Sequence, residues 1–279
     1  MRKITTKLIE NFKTYLYDEE KSKATIEKYI RDSIAFQKWV ECGSIDKKLV
    51  LAYKEKLIDE YAPASVNSII SSLNSFFEFN EWYELKIKAL KIQRQIFTNK
   101  EKELTKAEYE RLLRTAKEKK NEKLFLLMQT ICSTGIRVSE LSAITVEAIA
   151  SKQAVIRCKG KMRVIIIPDN LCKALRSYIG QNEIKSGAVF ITRTGKPMDR
   201  SNIWKLLKSL CEAANVSNDK VFPHNFRHLF ARTYYSLQKD VVRLADILGH
   251  SSINTTRIYT MESGLVHRQQ IQKLGLLLC

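Results

Sequence analysis

Apolar residues recur at spacings of three and four along most of this chain, and this periodicity restricts it to a mainly helical fold. Four such segments fill the first 90 residues: LIENFKTYL, ATIEKYIRDSIAFQKWV, LVLAYKEKLI and SVNSIISSLNSFFEF. Turn-forming residues separate them at 18–22, 42–46 and 61–65. We therefore predict an N-terminal domain of four helices over residues 1–90.

A polar, basic segment follows this domain. KALKIQRQIFTNKEKE, from residue 88 to residue 103, has no sustained apolar face. We interpret residues 91–103 as an interdomain linker. The alternative is that residues 90–97 extend a helix.

The remaining residues, 104–279, predict a second domain that is helical with a small β-sheet. Thr105 and Glu108 have capping-box spacing at its start. β-Branched runs at 154–157 and 163–167 flank Lys159-Gly160-Lys161, which predicts a hairpin with a basic tip, and a short strand is expected at 189–191. Helices are expected at about 105–119, 121–133, 139–146, 170–179, 199–214, 224–238, 240–248, 252–258 and 263–276. The fold class is thus mainly α with a small β-sheet.

The charge of the chain indicates a polyanionic partner. Its 48 Lys and Arg against 30 Asp and Glu give a formal net charge of +18. Residues 1–90 hold 15 of the basic and 14 of the acidic side chains, so 33 basic and 16 acidic residues lie beyond them. We therefore expect the second domain to make most of the contacts with the polyanion. Charge alone does not distinguish DNA, RNA and an anionic membrane surface as that partner.

The spacing of the cysteines and the hydropathy of the chain indicate the cellular compartment in which the protein is expected. The six cysteines show no C-x-x-C pair and no dense ladder, which favours a reduced compartment. The first residues, MRKITTKLIENFK, form no signal-peptide pattern, and no stretch approaches the roughly 18 apolar residues of a membrane span. These features predict a soluble cytoplasmic protein without a membrane partner.

Four short segments of the second domain carry the candidate chemistry: TGIRVSEL, CKGKMR, PHNFRH and LGHSSINTTRIY. Their candidate side chains are two arginines, a lysine, two histidines and a final tyrosine: Arg137, Arg227, Lys159, His224, His250 and Tyr259. Guanidinium groups match phosphate oxygens, histidine exchanges protons near neutral pH, and tyrosine can be a nucleophile. Such a set can hold one phosphate and attack it.

Local sequence suggests how the first of these residues are presented. Gly135 allows a sharp turn at a helix end, so that Arg137 can project from a fixed corner. Lys159 at the hairpin tip can act as a general acid, since lysine changes its pKa readily when desolvated.

His224 and Arg227, three residues apart, share a helix face whose start is set by Pro223. His224 and His228 have the spacing of a zinc pair. The residues between them lack the glutamate of a zincin motif, however, and Arg227 would repel a metal. We therefore predict no metal and interpret His228 as structural.

In order and spacing, the four segments closely resemble the tyrosine recombinase (phage integrase) family, whose catalytic set reads Arg, Lys, His-x-x-Arg, His, Tyr. The resemblance covers most of residues 104–265. Arg137 and Glu140 stand in the string T-G-x-R-x-x-E-L, where the family has its first arginine and an acidic partner that orients the site.

His224 and Arg227 in PHNFRH fit the family's His-x-x-Arg, and two more segments match its patterns, one of them with a departure. His250, Thr256 and Tyr259 fit the family pattern L-G-H-x-x-x-x-T-x-x-Y. Tyr234 and Tyr235, on the same predicted helix as His224, do not fit it and are the alternative tyrosines. In the hairpin the family pattern is G-K-G-x-K-x-R, and this chain is one residue shorter. Lys159 is the better match there, and Lys161 is the competitor.

The resemblance implies a SAM-like core-binding domain and a catalytic domain that form a C-shaped clamp around duplex DNA. It implies a site-specific recombinase in which Arg137 and Arg227 neutralise the scissile phosphate and Tyr259 attacks it to form a 3′-phosphotyrosyl bond.

The remaining roles follow from the same resemblance. Lys159 protonates the leaving 5′ oxygen, His224 assists as general base, and His250 hydrogen-bonds the phosphate. No metal or nucleotide cofactor is implied, because the covalent intermediate conserves the energy of the phosphodiester.

The resemblance also implies a homo-tetramer on two DNA sites. The tail from about residue 260, with its apolar end at 274–278, is expected to dock on a neighbouring protomer, or alternatively on its own domain. A type IB topoisomerase and a basic regulator that binds DNA without cutting it are the alternative functions. Integration, mobile-element transfer, inversion and chromosome resolution all fit the sequence.

Overall fold

The structure, a computed structural model, describes residues 2–41, 43–92, 100–158, 161–250, 252–259 and 272–273, the side chains of residues 100, 157, 158 and 161 excepted. The chain divides into two compact units, residues 1–94 and 95–279. No helix in these ranges is long and apolar enough to cross a membrane.

The first unit contains the four helices that its periodicity predicts. They are α1 (Thr6–Asp18), α2 (Lys23–Val40), α3 (Lys47–Glu60) and α4 (Pro63–Phe79). Four phenylalanine rings, each fully buried, form the centre of the core: Phe12, Phe36, Phe76 and Phe77. Phe12 meets Phe76 edge-on with ring centroids 5.2 Å apart, and Phe36 meets Phe77 at 5.9 Å. Aromatic pairs in this geometry stabilise a core beyond the area they bury.

A polar cluster joins α2 to α4 beside this core. The Oδ2 atom of Asp32 accepts hydrogen bonds from Lys28 Nζ at 2.6 Å and from Ser72 Oγ at 2.7 Å. Lys28 also donates to the carbonyl of Ser68 at 2.9 Å. Because Asp32 is only 7% exposed, these hydrogen bonds replace the water that its carboxylate loses on burial.

The chain beyond α4 runs back along that helix. After a 3₁₀ turn at Tyr83–Leu85, the amide of Asn74 pairs with both main-chain groups of Ile87, at 2.8 and 2.9 Å. Asn67 does the same for Leu90, at 2.7 and 3.0 Å. Residues 90–92 are therefore not helical, contrary to the alternative of a helix at 90–97, whose residues from 93 lie outside the described ranges.

The second unit is helical around one hairpin. Its helices are α5 (Lys106–Glu118), α6 (Glu122–Thr134), α7 (Val146–Ala150), α8 (Asp169–Gln181), α9 (Arg200–Lys208), α10 (Pro223–Gln238), α11 (Val241–Leu248) and α12 (Ile253–Thr256). Further 3₁₀ turns lie at Lys100–Lys102, Val138–Ala143, Asn218–Lys220 and Arg257–Tyr259. The predicted capping box of Thr105 and Glu108 begins α5. α6 contacts α5, α8 and α10, and most of its apolar residues are buried.

Strands β1 (Gln153–Cys158) and β2 (Lys161–Ile166) form the predicted antiparallel hairpin, with Val155 opposite Val164. Ala154, Ile156 and Ile165 face the core, whereas Val155 and Val164 on the other face are about half exposed. Period-two alternation therefore holds in both strands.

Three predicted elements of this unit are wrong. In place of the helix expected at 139–146, a 3₁₀ turn spans Val138–Ala143 and the separate helix α7 begins at Val146. No strand forms at 189–191. Within this stretch Ile191 makes an isolated bridge with Pro197, and a proline cannot donate to extend a ladder. The helix expected at 199–214 ends at Lys208, where hydrogen bonds shift to the three-residue spacing seen from Cys211 N to the Lys208 carbonyl. The helix expected near 263–276 lies mostly outside the described residues.

Replacing Asp32 tests the polar cluster of the first unit. Asp32→Ala removes the buried carboxylate to which both Lys28 and Ser72 donate and leaves the Lys28 ammonium without its ion-pair partner in the cluster, so we expect the free energy of unfolding of this unit to fall by about 3 kcal/mol. Urea unfolding in a Trp204→Phe background reports on this unit, because Trp39 and Trp82 are then the remaining tryptophans. Asp59→Ala, at an exposed position, is the control; equal losses in both variants would refute the role of the cluster.

Candidate active site

The corner that carries Arg137 is built by a glycine. α6 ends at Thr134, and Gly135 adopts a left-handed conformation with φ of 63°. A Cβ atom there would also lie 2.5 Å from the ring of Phe230. Ile136 is fully buried, so the next residue, Arg137, is directed out of the core as predicted.

Glu140 holds Arg137 at this corner. Its Oε1 accepts from Arg137 Nη1 at 2.9 Å, and its Oε2 accepts from the main-chain N–H of Arg137 at 3.0 Å. Arg163 of β2 donates to the same Oε2 at 2.5 Å. Burial acts to raise the pKa of Glu140, but these hydrogen bonds and the charge of Arg163 outweigh it and hold the pKa below its ordinary value. The carboxylate is therefore ionised at neutral pH.

Three consecutive carbonyls at the end of α11 each accept from an arginine. Arg163 Nη1 donates to Ile247 at 2.7 Å, Arg227 Nη2 to Leu248 at 2.7 Å, and Arg137 Nη2 to Gly249 at 3.1 Å. The last carbonyls of a helix lack partners within it and carry partial negative charge. This helix end therefore gathers three guanidinium groups that would otherwise repel one another.

Arg227 is the most enclosed of the three, with 2% exposure. Besides Leu248 it donates to the carbonyl of Gly135 and lies 3.1 Å from His250 Nε2. Burial, followed by the charge of Arg137, lowers the pKa of Arg227 to about 10, so the guanidinium stays charged at neutral pH.

These contacts fix the tautomer of His250. Since Arg227 can only donate, Nε2 of His250 must accept, and the ring proton then lies on Nδ1. Nδ1 is 2.7 Å from Oγ1 of Thr256, a fully buried side chain that can accept that proton. Burial and the charge of Arg227 lower the pKa of His250 to about 4, so the ring is neutral at pH 7.

Tyr259 lies in the 3₁₀ turn directly after α12 and is 4% exposed. Its ring lies 6.0 Å from that of His250, nearly parallel, and 4.8 Å from that of His228, edge-on. Burial raises the pKa of its hydroxyl, although the charge of Arg227 and a side-chain hydrogen bond with it act in the opposite direction. The phenol is therefore protonated in the free protein.

The two histidines of α10 complete the cluster. His224, in the first turn, has its ring 4.3 Å from that of His228. Partial desolvation, followed by the charges of Arg227 and Arg137, lowers the pKa of His224. The pKa of His228 falls to about 4, chiefly through desolvation. Within the described part of the chain, no three His, Cys, Asp or Glu side chains converge as metal ligands would.

The structure thus brings together Arg137, Glu140, Arg227, His250 and Tyr259, and His224 adjoins them through His228. Lys159 lies outside the described residues, and Lys161 is described by its main chain, which pairs with Cys158. The alternative tyrosines, Tyr234 and Tyr235, pack against an apolar cluster that includes Leu244 and Leu248.

One residue of this network, Arg163, has no role in the sequence prediction. It lies two residues before Ile165 in β2 and four before Ile167, both of which are buried, and so shares their inward face. A charged residue at an inward-facing strand position is the signal that could have identified it.

Protonation of the buried histidines should couple the stability of the second unit to pH. A histidine whose pKa is lowered by folding lets the unfolded chain bind more protons, so stability is full above about pH 6.5 and is lost as the pH falls towards 4. We expect guanidinium unfolding midpoints to drop between pH 7.5 and 5.5, and His228→Gln to make that slope shallower. An unchanged slope in this variant would contradict the account.

Known proteins resemble this chain in both sequence and fold. Residues 102–264 match the model of the phage integrase family, and residues 9–84 match that of the phage integrase N-terminal SAM-like domain. Tyrosine recombinase XerA of Pyrococcus furiosus is 29% identical over 98% of this chain and 96% of its own length. Tyrosine recombinase XerD of Staphylococcus haemolyticus is 29% identical over 94% of this chain and 96% of its own.

Among solved structures, a lambda integrase fragment in a dimer bound to a COC′ core site has a TM-score of 0.76 at 18% identity. The match covers 94% of this chain and 97% of that one. This likeness shows a shared fold. Since the first family model spans more than half of the chain, the chain belongs to the phage integrase family and is a tyrosine recombinase.

Proposed function

We propose that this tyrosine recombinase cleaves and rejoins duplex DNA at specific sites through a 3′-phosphotyrosyl intermediate, with Tyr259 as the nucleophile. The observation that carries the proposal is the contact of Tyr259 with Arg227 and His250, beside Arg137. A phosphodiester entering this cluster would meet two guanidinium groups, a neutral imidazole and a phenol together.

The cleavage step exchanges one phosphoester for another. Arg137 and Arg227 neutralise the non-bridging oxygens of the scissile phosphate, and Arg137, whose side chain is 37% exposed, is open to receive it. The Tyr259 oxygen forms a bond to phosphorus as the bond from phosphorus to the 5′ oxygen breaks.

Two protons move in this step. The phenol proton passes to His224, whose lowered pKa keeps it neutral and able to accept. The leaving 5′ oxygen takes a proton from Lys159, with Lys161 as the alternative donor. His250 hydrogen-bonds the phosphate, and Glu140 orients Arg137. Attack by a free 5′ hydroxyl of another strand reverses the step and exchanges strands.

Double-stranded DNA is the proposed partner, and the excess of 33 basic over 16 acidic residues beyond residue 90 supports it. We propose a homo-tetramer on two sites, assembled through the tail from about residue 260. Co-expression of tagged and untagged chains, with and without residues 260–279, tests this assembly on DNA.

The comparisons lend no support to the two alternatives, a type IB topoisomerase and a non-cutting regulator. A supercoiled plasmid without a recombination site separates the topoisomerase from the recombinase, since relaxation needs no exchange partner.

Tyr259→Phe should abolish covalent protein–DNA adducts while leaving DNA affinity within about twofold, because only the nucleophilic oxygen is lost. The adduct is trapped on a substrate nicked near the cleavage site and separated by denaturing electrophoresis. Tyr235→Phe is the matched control and should form the adduct normally. Wild-type adduct yield from Tyr259→Phe would move the nucleophile elsewhere.

Cleavage should proceed in excess EDTA, because arginines and a lysine supply the charge stabilisation that a divalent metal provides in many nucleases. The initial rate of adduct formation is compared with and without chelator, with DNA binding measured alongside. Loss of cleavage with binding retained would contradict the metal-free mechanism and direct attention to His224 and His228.

A further inference from the structure

Arg163 occupies an unusual place for a charged residue. It lies on the inward-facing side of β2, opposite Ile156, and its side chain is only 14% exposed. Burying a guanidinium is costly unless its donors are paired. Its partners therefore indicate what the residue does.

Those partners belong to two separate elements. One terminal nitrogen of Arg163 donates to Glu140 at 2.5 Å, and the other donates to the carbonyl of Ile247 at 2.7 Å. The rigid fork of arginine can bridge two acceptors in this way, whereas a lysine presents a single ammonium group. Arg163 thus joins the hairpin, the corner of Arg137 and the end of α11.

The chain leaves room for this bridge at Gly249. A Cβ atom on Gly249 would lie 2.4 Å from Cδ and 2.9 Å from Nε of Arg163, so the arginine stem crosses the glycine directly. Gly249 also has a left-handed φ of 62°, which favours glycine. The next residue in the chain is His250, so the same contact also fixes the main-chain position of that histidine.

Glu140 transmits the position of Arg163 to Arg137. Its Oε2 is shared between Arg163 and the main chain of Arg137, while Oε1 holds the Arg137 guanidinium. Arg137 is more exposed than Arg163, and a long side chain at such a site retains rotamer freedom unless it is held.

We infer that Arg163 is a positioning residue for DNA cleavage, which orients Arg137 through Glu140 and holds the hairpin against the end of α11. The inference rests on the proposed function and deepens it. Arg163 touches no reacting atom, so its loss should slow the chemical step without weakening the encounter with DNA.

The test is single-turnover adduct formation on a nicked duplex at saturating protein. Arg163→Met should lower the rate by about 10- to 100-fold, since a misplacement of about 1 Å can cost about 100-fold. DNA affinity, measured by anisotropy, should stay within about threefold of wild type. Arg163→Lys, which can reach one of the two acceptors, should recover part of the rate.

Arg111→Met is the matched control. Arg111 also bridges two carbonyls of the second unit, those of Ala214 and Asn215, at 3.1 Å each. Removing it costs the same charge and a similar pair of hydrogen bonds outside the candidate site. Its cleavage rate should stay close to that of wild type.

A double-mutant cycle with Glu140→Gln separates positioning from general destabilisation. If Arg163 acts through Glu140, the combined loss of rate should be at least about fivefold smaller than the product of the single losses. Fully multiplicative losses, or a wild-type rate for Arg163→Met, would overturn the inference while leaving the proposed function intact. Absence of any adduct from the wild-type protein would refute the proposed function instead.

Discussion

The carboxyl end of α11 is the feature on which the candidate site depends. The carbonyls of Ile247, Leu248 and Gly249 receive Arg163, Arg227 and Arg137, which come from the hairpin, α10 and the corner after α6. Three cations in so small a space repel one another strongly. Helix-end carbonyls and the carboxylate of Glu140 offset that repulsion, and they do so without occupying the exposed side of Arg137.

This arrangement also sets the protonation of the site before DNA binds. Arg227 forces His250 into one neutral tautomer, and Thr256, three residues before Tyr259, takes the hydrogen bond from its other nitrogen. The phenol itself stays protonated. The charges and hydrogen bonds of the site are therefore in place before the reaction. Such preorganisation is usually the largest source of transition-state stabilisation in enzymes.

Much of this could be predicted from the sequence, for definite reasons. The helices follow from their three-and-four periodicity, and Gly135 and Gly249 mark helix ends that need left-handed backbone. The strand predicted at 189–191 is wrong because the bridge partner of Ile191 is Pro197, which has no N–H with which to extend a ladder. Arg163 has no role in the sequence prediction, because its contacts with Glu140 and with the carbonyl of Ile247 depend on how the hairpin packs against the end of α11, which the local sequence does not show. The roles of Lys159 and Lys161 stay predictions.

Tyr259 is proposed to bond covalently to the DNA, and identifying the amino acid that is linked to DNA tests this most directly. Adduct from a nicked duplex is digested with trypsin and nuclease, and the modified peptide is sequenced by mass spectrometry. We predict a nucleotide joined through its 3′ phosphate to Tyr259, within the tryptic peptide of residues 258–268. A nucleotide on Tyr234, Tyr235 or any other residue would contradict the account.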